Sequence, residues 1–336
     1  MVIDMKAAVL NNRLVFADFA KLFAMFVVTW GHCAQCLSGI TYPELFGKPG
    51  VLIAFHMPLF MIVSGYFIYP EHIREKRWPA YVAEKFQRLV IPALVWYACY
   101  CLLTIHKPHL MGCVGFYWFL TSMFLSCLLI SVVVRVNKND NMLLYLVSVL
   151  IVVFLPFSSF LHVNFMYPLM MGGMFLRKAT NRCNGAELTT CAVILFLSGA
   201  FLLYHWDISY SVYLTPFDST RFSPQNLYAL FVRLLTGFVI SSFFVILFML
   251  ADSKKCIQVL SKYGKYTLVM YTASFIINGI FGIILSHLQI RVTQTGLLEL
   301  SSCMWSIATC ILCVLLAQLL EKNGLTKRLL LGIVYH

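Results

Sequence analysis

The sequence predicts an all-α polytopic membrane protein of about ten transmembrane helices, with both termini in the cytoplasm. Three observations carry that prediction. Apolar runs of near-spanning length recur along the 336 residues, separated by short polar segments. Charged residues make up only 11% and hydrophobic residues 61% of the chain, against roughly 25% charged in a soluble domain, which excludes a soluble protein with a large core. The basic residues divide unequally between alternate connecting segments. No separate soluble domain is visible, so residues 1–336 read as one integral membrane domain.

The spans read as 14–36, 51–69, 89–106, 116–134, 142–157, 160–176, 188–206, 227–250, 266–288 and 297–320. Residues 1–13 lack an apolar core followed by a small-residue cleavage site, so the first run is expected to stay as a span. The fifth and sixth runs are short and divided only by a turn at 156–162. With the N-terminus inside, nineteen Lys and Arg fall in cytoplasmic segments and four outside: Lys48, Lys107, Arg221 and Arg291. Lys21 and Arg233 lie within spans. This positive-inside bias also accounts for the net charge of +12 without any nucleic-acid partner.

The twelve cysteines form no disulfide or zinc pattern, and most sit singly in apolar runs, where Cys behaves as a small hydrophobe. Cys33-Ala-Gln-Cys36 has the spacing of a redox pair but no second pair and no haem-type His after it, so no metal site is expected.

The first span holds the strongest functional signal. Asp18, Lys21 and His32 stand in a run that is otherwise almost wholly apolar, and ionisable groups at membrane depth are costly enough to mark candidate sites. Eleven residues separate Lys21 from His32. At 100° per residue they return to within about 20° of one face, roughly 16 Å apart along the axis. One stripe of this helix therefore offers a cation near one membrane face and an imidazole near the other. The plainer alternative is that Asp18 and Lys21 neutralise each other and His32 bonds a neighbouring helix.

Entering the second span from outside, His56 lies at about the depth of His32. Two imidazoles at one level suit a proton-transfer site. Equally, His56 could make a structural bond near a kink at Pro58. Ser64-Gly65 further along reads as a close-packing position rather than a nucleophile. Lys85 and Arg88 share a face at the cytoplasmic mouth of the third span, near Arg74, Lys76 and Arg77. Such a patch suits a phosphate-bearing ligand or anionic lipid headgroups. On the outer side, Tyr204-His205-Trp206-Asp207 through Arg221-Phe222 fits either sugar stacking or an interfacial aromatic belt. Arg233, one or two turns into the eighth span, is expected to point into the bundle interior.

Taken together, these motifs resemble the integral membrane acyltransferase-3 family, whose members acylate sugars and other hydroxyl acceptors. The family's Asp-x-x-Arg with a His beyond it is matched by Asp18-Phe-Ala-Lys21 and His32. Further matches are Phe55-His56-Met57-Pro58-Leu59-Phe60 with Ser64-Gly65-Tyr66, Lys85-x-x-Arg88-Leu89-x-x-Pro92, and Tyr117-Trp118-Phe119-Leu120. Gly264-Lys265-Tyr266-Thr267-Leu268 with Tyr271, and residues 329–332, match late motifs. Each motif alone is loose; their order over nearly the whole chain is specific. Three departures stand out: Lys21 and Lys85 replace family arginines, and Ser274 stands where many members have His.

The resemblance implies a membrane O-acyltransferase in the bacterial inner membrane, drawing on cytoplasmic acetyl-CoA or another short acyl-CoA. It implies a hydroxyl acceptor on a cell-envelope glycan or its lipid-linked precursor. His32 would act as general base, or carry the acyl group as an intermediate. Lys21, fixed by Asp18, would orient the donor, and Lys85 and Arg88 would hold its phosphates. His56, Trp118 and Arg233 would lie near the acceptor. A transporter of lipid-linked sugar, or a non-catalytic protein of the same fold, is the competing reading, and lack of a visible repeat of broken helices weighs against the transporter.

Overall fold

A computed structural model describes residues 14–104, 110–155, 160–210, 215–218 and 221–332. The predicted turn at 156–162, the predicted outer segment 207–226 and the ends of the third and fifth spans fall partly outside these residues.

The described chain is almost wholly helical. Its helices are α1 (Val15–Ser38), α2 (His56–Tyr66), α3 (Pro70–Glu75), α4 (Trp78–Lys85), α5 (Ile91–Thr104), α6 (Leu110–Phe116), α7 (Trp118–Val136), α8 (Met142–Phe154), α9 (Val163–Thr180), α10 (Gly185–Tyr204), α11 (Pro224–Leu250), α12 (Lys255–Ser261), α13 (Thr267–His287), α14 (Thr295–Leu320) and α15 (Gly324–Leu330). Two minimal hairpins, β1 (Glu44–Leu45) with β2 (Lys48–Pro49) and β3 (Phe217–Asp218) with β4 (Arg221–Phe222), decorate the end where α1 terminates and α11 begins. Among the described residues, seven helical segments are long and apolar enough to cross a membrane; Val51–Tyr66 and Met142–Phe154 are shorter apolar helices. Each predicted span corresponds to a helix in the same order.

Helix α1 runs through the middle of the bundle, against α2, α11, α13 and α14. Its small residues Ala17, Ala20, Ala24 and Ala34 are buried, letting neighbouring backbones approach. It ends at Gly39, whose N–H closes on the Gln35 carbonyl at 2.8 Å. The 3₁₀ turn Lys262–Tyr266 docks on its other end: a Cβ at Gly264 would run into the Asp18 backbone. The motif Gly264-Lys265-Tyr266 therefore seats the end of α1 that carries Asp18 and Lys21.

Helices α2 and α9 make the tightest contact in the bundle. A Cβ at Gly65 would collide with the Met170 carbonyl, and one at Gly173 with the Ile62 carbonyl. The packing role expected of Ser64-Gly65 is thus met reciprocally from α9. Pro58 causes no kink, contrary to the sequence expectation. It lies in the first turn of α2, where a missing N–H costs nothing. The break comes before it, at Phe55 (φ −137°), where the 3₁₀ turn Val51–Ala54 passes into α2.

At the opposite end a belt of short helices is tied down by cations. Arg74 on α3 bonds Asp140 at 2.5 Å and the Asn137 carbonyl at 2.9 Å, and Arg135 bonds the Ile73 carbonyl at 2.6 Å. Burial pushes the Asp140 carboxyl up, but its bonds from Arg74 and Tyr145 hold it below the usual carboxylate range. A π-helical turn, Phe86–Val90, joins α4 to α5.

Candidate functional site

His32 and His56 come to one cavity of about 390 Å³. Its floor is formed by α1 (Val28, His32, Gln35) and by the 3₁₀–α2 junction (Ile53, His56), and α7 contributes Trp118. Thr41, Tyr42 and Tyr210 line it from the connecting segments. The cavity thus belongs to the end of the bundle that holds both hairpins, the end where α1 and α10 terminate. Three of the residues picked from the sequence, on three helices, meet there.

The two imidazoles are held alike. His32 Nδ1 lies 2.8 Å from Gln35 Oε1, one turn along the same helix, and its ring packs against Phe275 with centroids 4.6 Å apart. His56 Nδ1 lies 2.5 Å from the Leu52 carbonyl. A carbonyl only accepts, so His56 Nδ1 carries the proton and its Nε2 is left with a lone pair. The structural bond expected of His56 is therefore present, to the turn before α2 rather than to a kink. It leaves proton transfer through Nε2 open. Trp118 stands edge-on to His162 at 4.7 Å.

Arg233 lies behind this wall, fully buried in α11. It donates to the Ile53 carbonyl and is sandwiched between the rings of Phe165 and Trp206, each 5.0 Å away. It points into the bundle, as expected, and reaches the cavity through Ile53 and Trp206 rather than directly. Trp206 and Tyr204 part company. Tyr204 is 74% exposed and suits the membrane interface. Trp206 is 4% exposed, donates to the Pro49 carbonyl at 3.2 Å and lines the cavity. Composition alone gave both residues the same reading. Their separation is set by the turn that ends α10.

Asp18 and Lys21 occupy the other end of α1, bonded at 3.2 Å, with Lys21 Nζ 5.4 Å above the Phe67 ring. They are far from the imidazoles along the same helix, as the spacing predicts. Lys85 and Arg88 form a separate patch. Arg88 Nε lies 3.3 Å from Glu84, and Lys85 Nζ lies 5.2 Å over Tyr81. Of the cations counted with that patch from sequence, Lys76 shares the Glu84 carboxylate with Arg88, whereas Arg74 is committed to Asp140. The chain's late motif packs here: Trp96 Nε1 donates to the Leu330 carbonyl at 3.2 Å, and a Cβ on Gly332 would lie 2.6 Å from the Arg88 carbonyl. Sequence reading gave residues 329–332 no place. Their contact with the Arg88 turn supplies one.

Gln35, Tyr42, Tyr210 and Phe275 were not singled out as site residues from sequence. Gln35 alone left a usable signal, the i, i+3 spacing from His32.

A helical bundle with seven described segments long and apolar enough to cross a membrane, and a cavity lined by two imidazoles, has the architecture of an integral membrane protein. The model of the acyltransferase-3 family, described as an acyltransferase domain, matches residues 14–322, and the chain belongs to that family. Two curated relatives, each named nodulation protein NolL, are similar over part of the chain. One, from Mesorhizobium japonicum, is 30% identical over 144 residues, 38% of each chain. The other, from Sinorhizobium fredii, is 28% identical over 164 residues, 44% of each chain. The matched region thus spans about two fifths of the length of these relatives. No solved structure matches the chain significantly.

Proposed function

We propose that this protein is a ten-span membrane O-acyltransferase of the bacterial inner membrane, with both termini cytoplasmic. It moves an acyl group, acetyl being the simplest, from cytoplasmic acetyl-CoA or another short acyl-CoA to a hydroxyl of a cell-envelope glycan or its lipid-linked precursor. The observation that carries this reading is the convergence of His32, His56 and Trp118 on one aromatic-lined cavity in a chain of the acyltransferase-3 family. Aromatic faces suit sugar rings, and the cavity is of small-ligand size. Its position at the hairpin end, with Lys21 at the other, suits a donor and an acceptor that arrive from opposite faces of the membrane.

In the reaction, His32 Nε2 takes the proton of the acceptor hydroxyl as its oxygen attacks the thioester carbonyl. The C–S bond breaks and the new C–O bond remains. The leaving CoA thiolate takes the proton from His32, which restores the neutral imidazole. His56, with its Nε2 free, orients the acceptor hydroxyl. Attack by His32 itself, giving an acyl-imidazole, is the variant route. Lys21, held by Asp18, steers the donor, and Lys85 with Arg88 binds the CoA phosphates. Metal or redox chemistry has no role in this scheme.

The test is twofold. Purified protein should consume acetyl-CoA in the presence of envelope glycan, and mass spectrometry of glycans from cells lacking the gene should show loss of a 1:1 acyl increment. A transporter would show neither dependence on CoA nor the mass change. For the donor patch, replacing Lys85 and Arg88 together by Ala is expected to weaken acetyl-CoA binding about tenfold or more, and to matter less for dephospho-CoA. Equal binding by parent and variant would return the patch to lipid headgroups.

Topology has its own test. In a cysteine-free background, a Cys placed at the exposed Ser209 should react with an impermeant thiol reagent in intact cells. A sole Cys at the native exposed position Cys256 should react only after lysis. The reverse pattern would overturn the orientation.

A further inference from the structure

The cavity histidine at position 32 depends on a neighbour that no motif identifies. Gln35 lies one turn beyond it on α1, and its side chain bridges two groups. Its Oε1 is 2.8 Å from His32 Nδ1. Its Nε2 donates to the backbone carbonyl of Thr41, in the segment that leaves α1 and lines the cavity. The Thr41 carbonyl can only accept, so it selects the amide's NH₂ group. The amide oxygen must then face the ring, and an amide oxygen can only accept as well. His32 Nδ1 is therefore the protonated nitrogen. The neutral ring has one lone pair left, on Nε2, which makes no hydrogen bond to any described residue.

We infer that Gln35, anchored by the Thr41 carbonyl, is a positioning residue that holds His32 in the Nδ1–H tautomer and so keeps Nε2 available as a proton acceptor in the cavity. The role is the one a carboxylate plays in a Ser-His-Asp triad, here filled by a neutral amide. Neutrality fits the surroundings. The titratable groups lining this cavity are His32 itself, His56, Tyr42, Tyr210 and Tyr271, with Arg233 behind Ile53, and no carboxylate is among them. The Phe275 ring against the imidazole leaves little freedom for it to turn and present the other nitrogen. Because Thr41, Tyr42 and Pro43 line the cavity together, the relay ties the state of the histidine to the conformation of that part of the cavity wall.

The kinetic part of this inference rests on His32 being the general base; the tautomer part does not. Both can be read in three variants. Gln35→Glu keeps an acceptor for Nδ1–H and loses the donor to Thr41. Gln35→Met keeps length and loses both. His32→Ala identifies the ring's resonances. In ¹⁵N-histidine-labelled protein in nanodiscs, the His32 signals should report the Nδ1–H tautomer in the parent and in Gln35→Glu, and a tautomer mixture in Gln35→Met. In acyl transfer, Gln35→Met should lower kcat by about 10- to 100-fold, the cost of losing the partner that orients a metal-ligating histidine and less than the loss of a triad carboxylate, with KM little changed. Gln35→Glu should recover most of that loss. A purely structural role, holding the 41–50 segment, would impair the Glu and Met variants equally, because both lose the bond to Thr41. That result, or a parental tautomer in Gln35→Met, would overturn the inference. If the tautomer follows Gln35 but His32→Ala retains parental turnover, the positioning stands and it is the general-base reading that falls.

Discussion

Replacing His32 by Ala is expected to lower acyl transfer by 10²- to 10⁴-fold while leaving the bundle folded, the range typical for loss of a general base. The cavity is the reason to expect a chemical rather than a structural effect. Among the described residues His32 bonds only Gln35, on its own helix, and packs on Phe275 without bonding it, so no inter-helix hydrogen bond to a described residue is lost with the ring. His56→Ala should fall between parent and His32→Ala. Its Nδ1 bond to Leu52 fixes the turn that leads into α2, so part of its loss will appear in stability. Lys21→Ala should raise the acyl-CoA concentration needed for half-maximal rate, whereas Lys21→Arg, which restores the residue the family pattern carries, should retain substantial activity. The measurement is initial rate against acyl-CoA concentration, with expression and detergent elution matched across variants. A His32→Ala protein with near-parental rate would leave His32 as a half-buried histidine satisfied by Gln35.

What could be read from the sequence alone follows from the range of the forces involved. The seven long apolar helices were legible, because an apolar run of that length must satisfy its own backbone in a bilayer whatever its neighbours do. The special standing of Asp18, Lys21 and His32 was legible for the same reason: their cost is local. Depth was legible for His56, since counting residues from a span's end measures it. The wiring of the site was not. Phe275 meets His32 across 243 positions of chain, and Trp206 turns inward only because the end of α10 is folded back onto Pro49. Gln35 sat in plain view at helical spacing, but its significance depends on the Thr41 carbonyl, and where that carbonyl points is set by a non-helical turn. The basic patch was over-counted because charge is visible in sequence and pairing is not. Arg74 is tied to Asp140, a pairing that only the fold reveals, while Lys76 and Arg88 meet on Glu84.

Gly65→Val is expected to be the most destabilising single substitution in the bundle. In a membrane, water expulsion does not drive helices together, so association depends on close van der Waals contact between small surfaces. Between α2 and α9 that contact is backbone against backbone. The position a side chain at Gly65 would occupy is filled by the Met170 carbonyl, and Gly173 presents the same demand to Ile62 from the other side. A carbonyl in a helix cannot swing aside as a flexible side chain can, so the helices must separate along their length. Overpacking of a rigid core costs about 1–3 kcal/mol, and more where backbone is the obstacle. At about 3 kcal/mol and roughly 2–4 °C per kcal/mol, the melting temperature in detergent should fall by roughly 6–12 °C, or the protein should fail to elute as a single species. Activity should fall with it, because α2 begins at His56 and its position sets one wall of the cavity. Gly173→Val should behave alike. Gly279→Ala on α13 is the control. No atom lies within 4 Å of its added Cβ, and Ala favours a helix over Gly by up to ~1 kcal/mol, so melting should hold or rise. A Gly65→Val protein that melts with the parent would mean that α2 and α9 do not touch at Gly65.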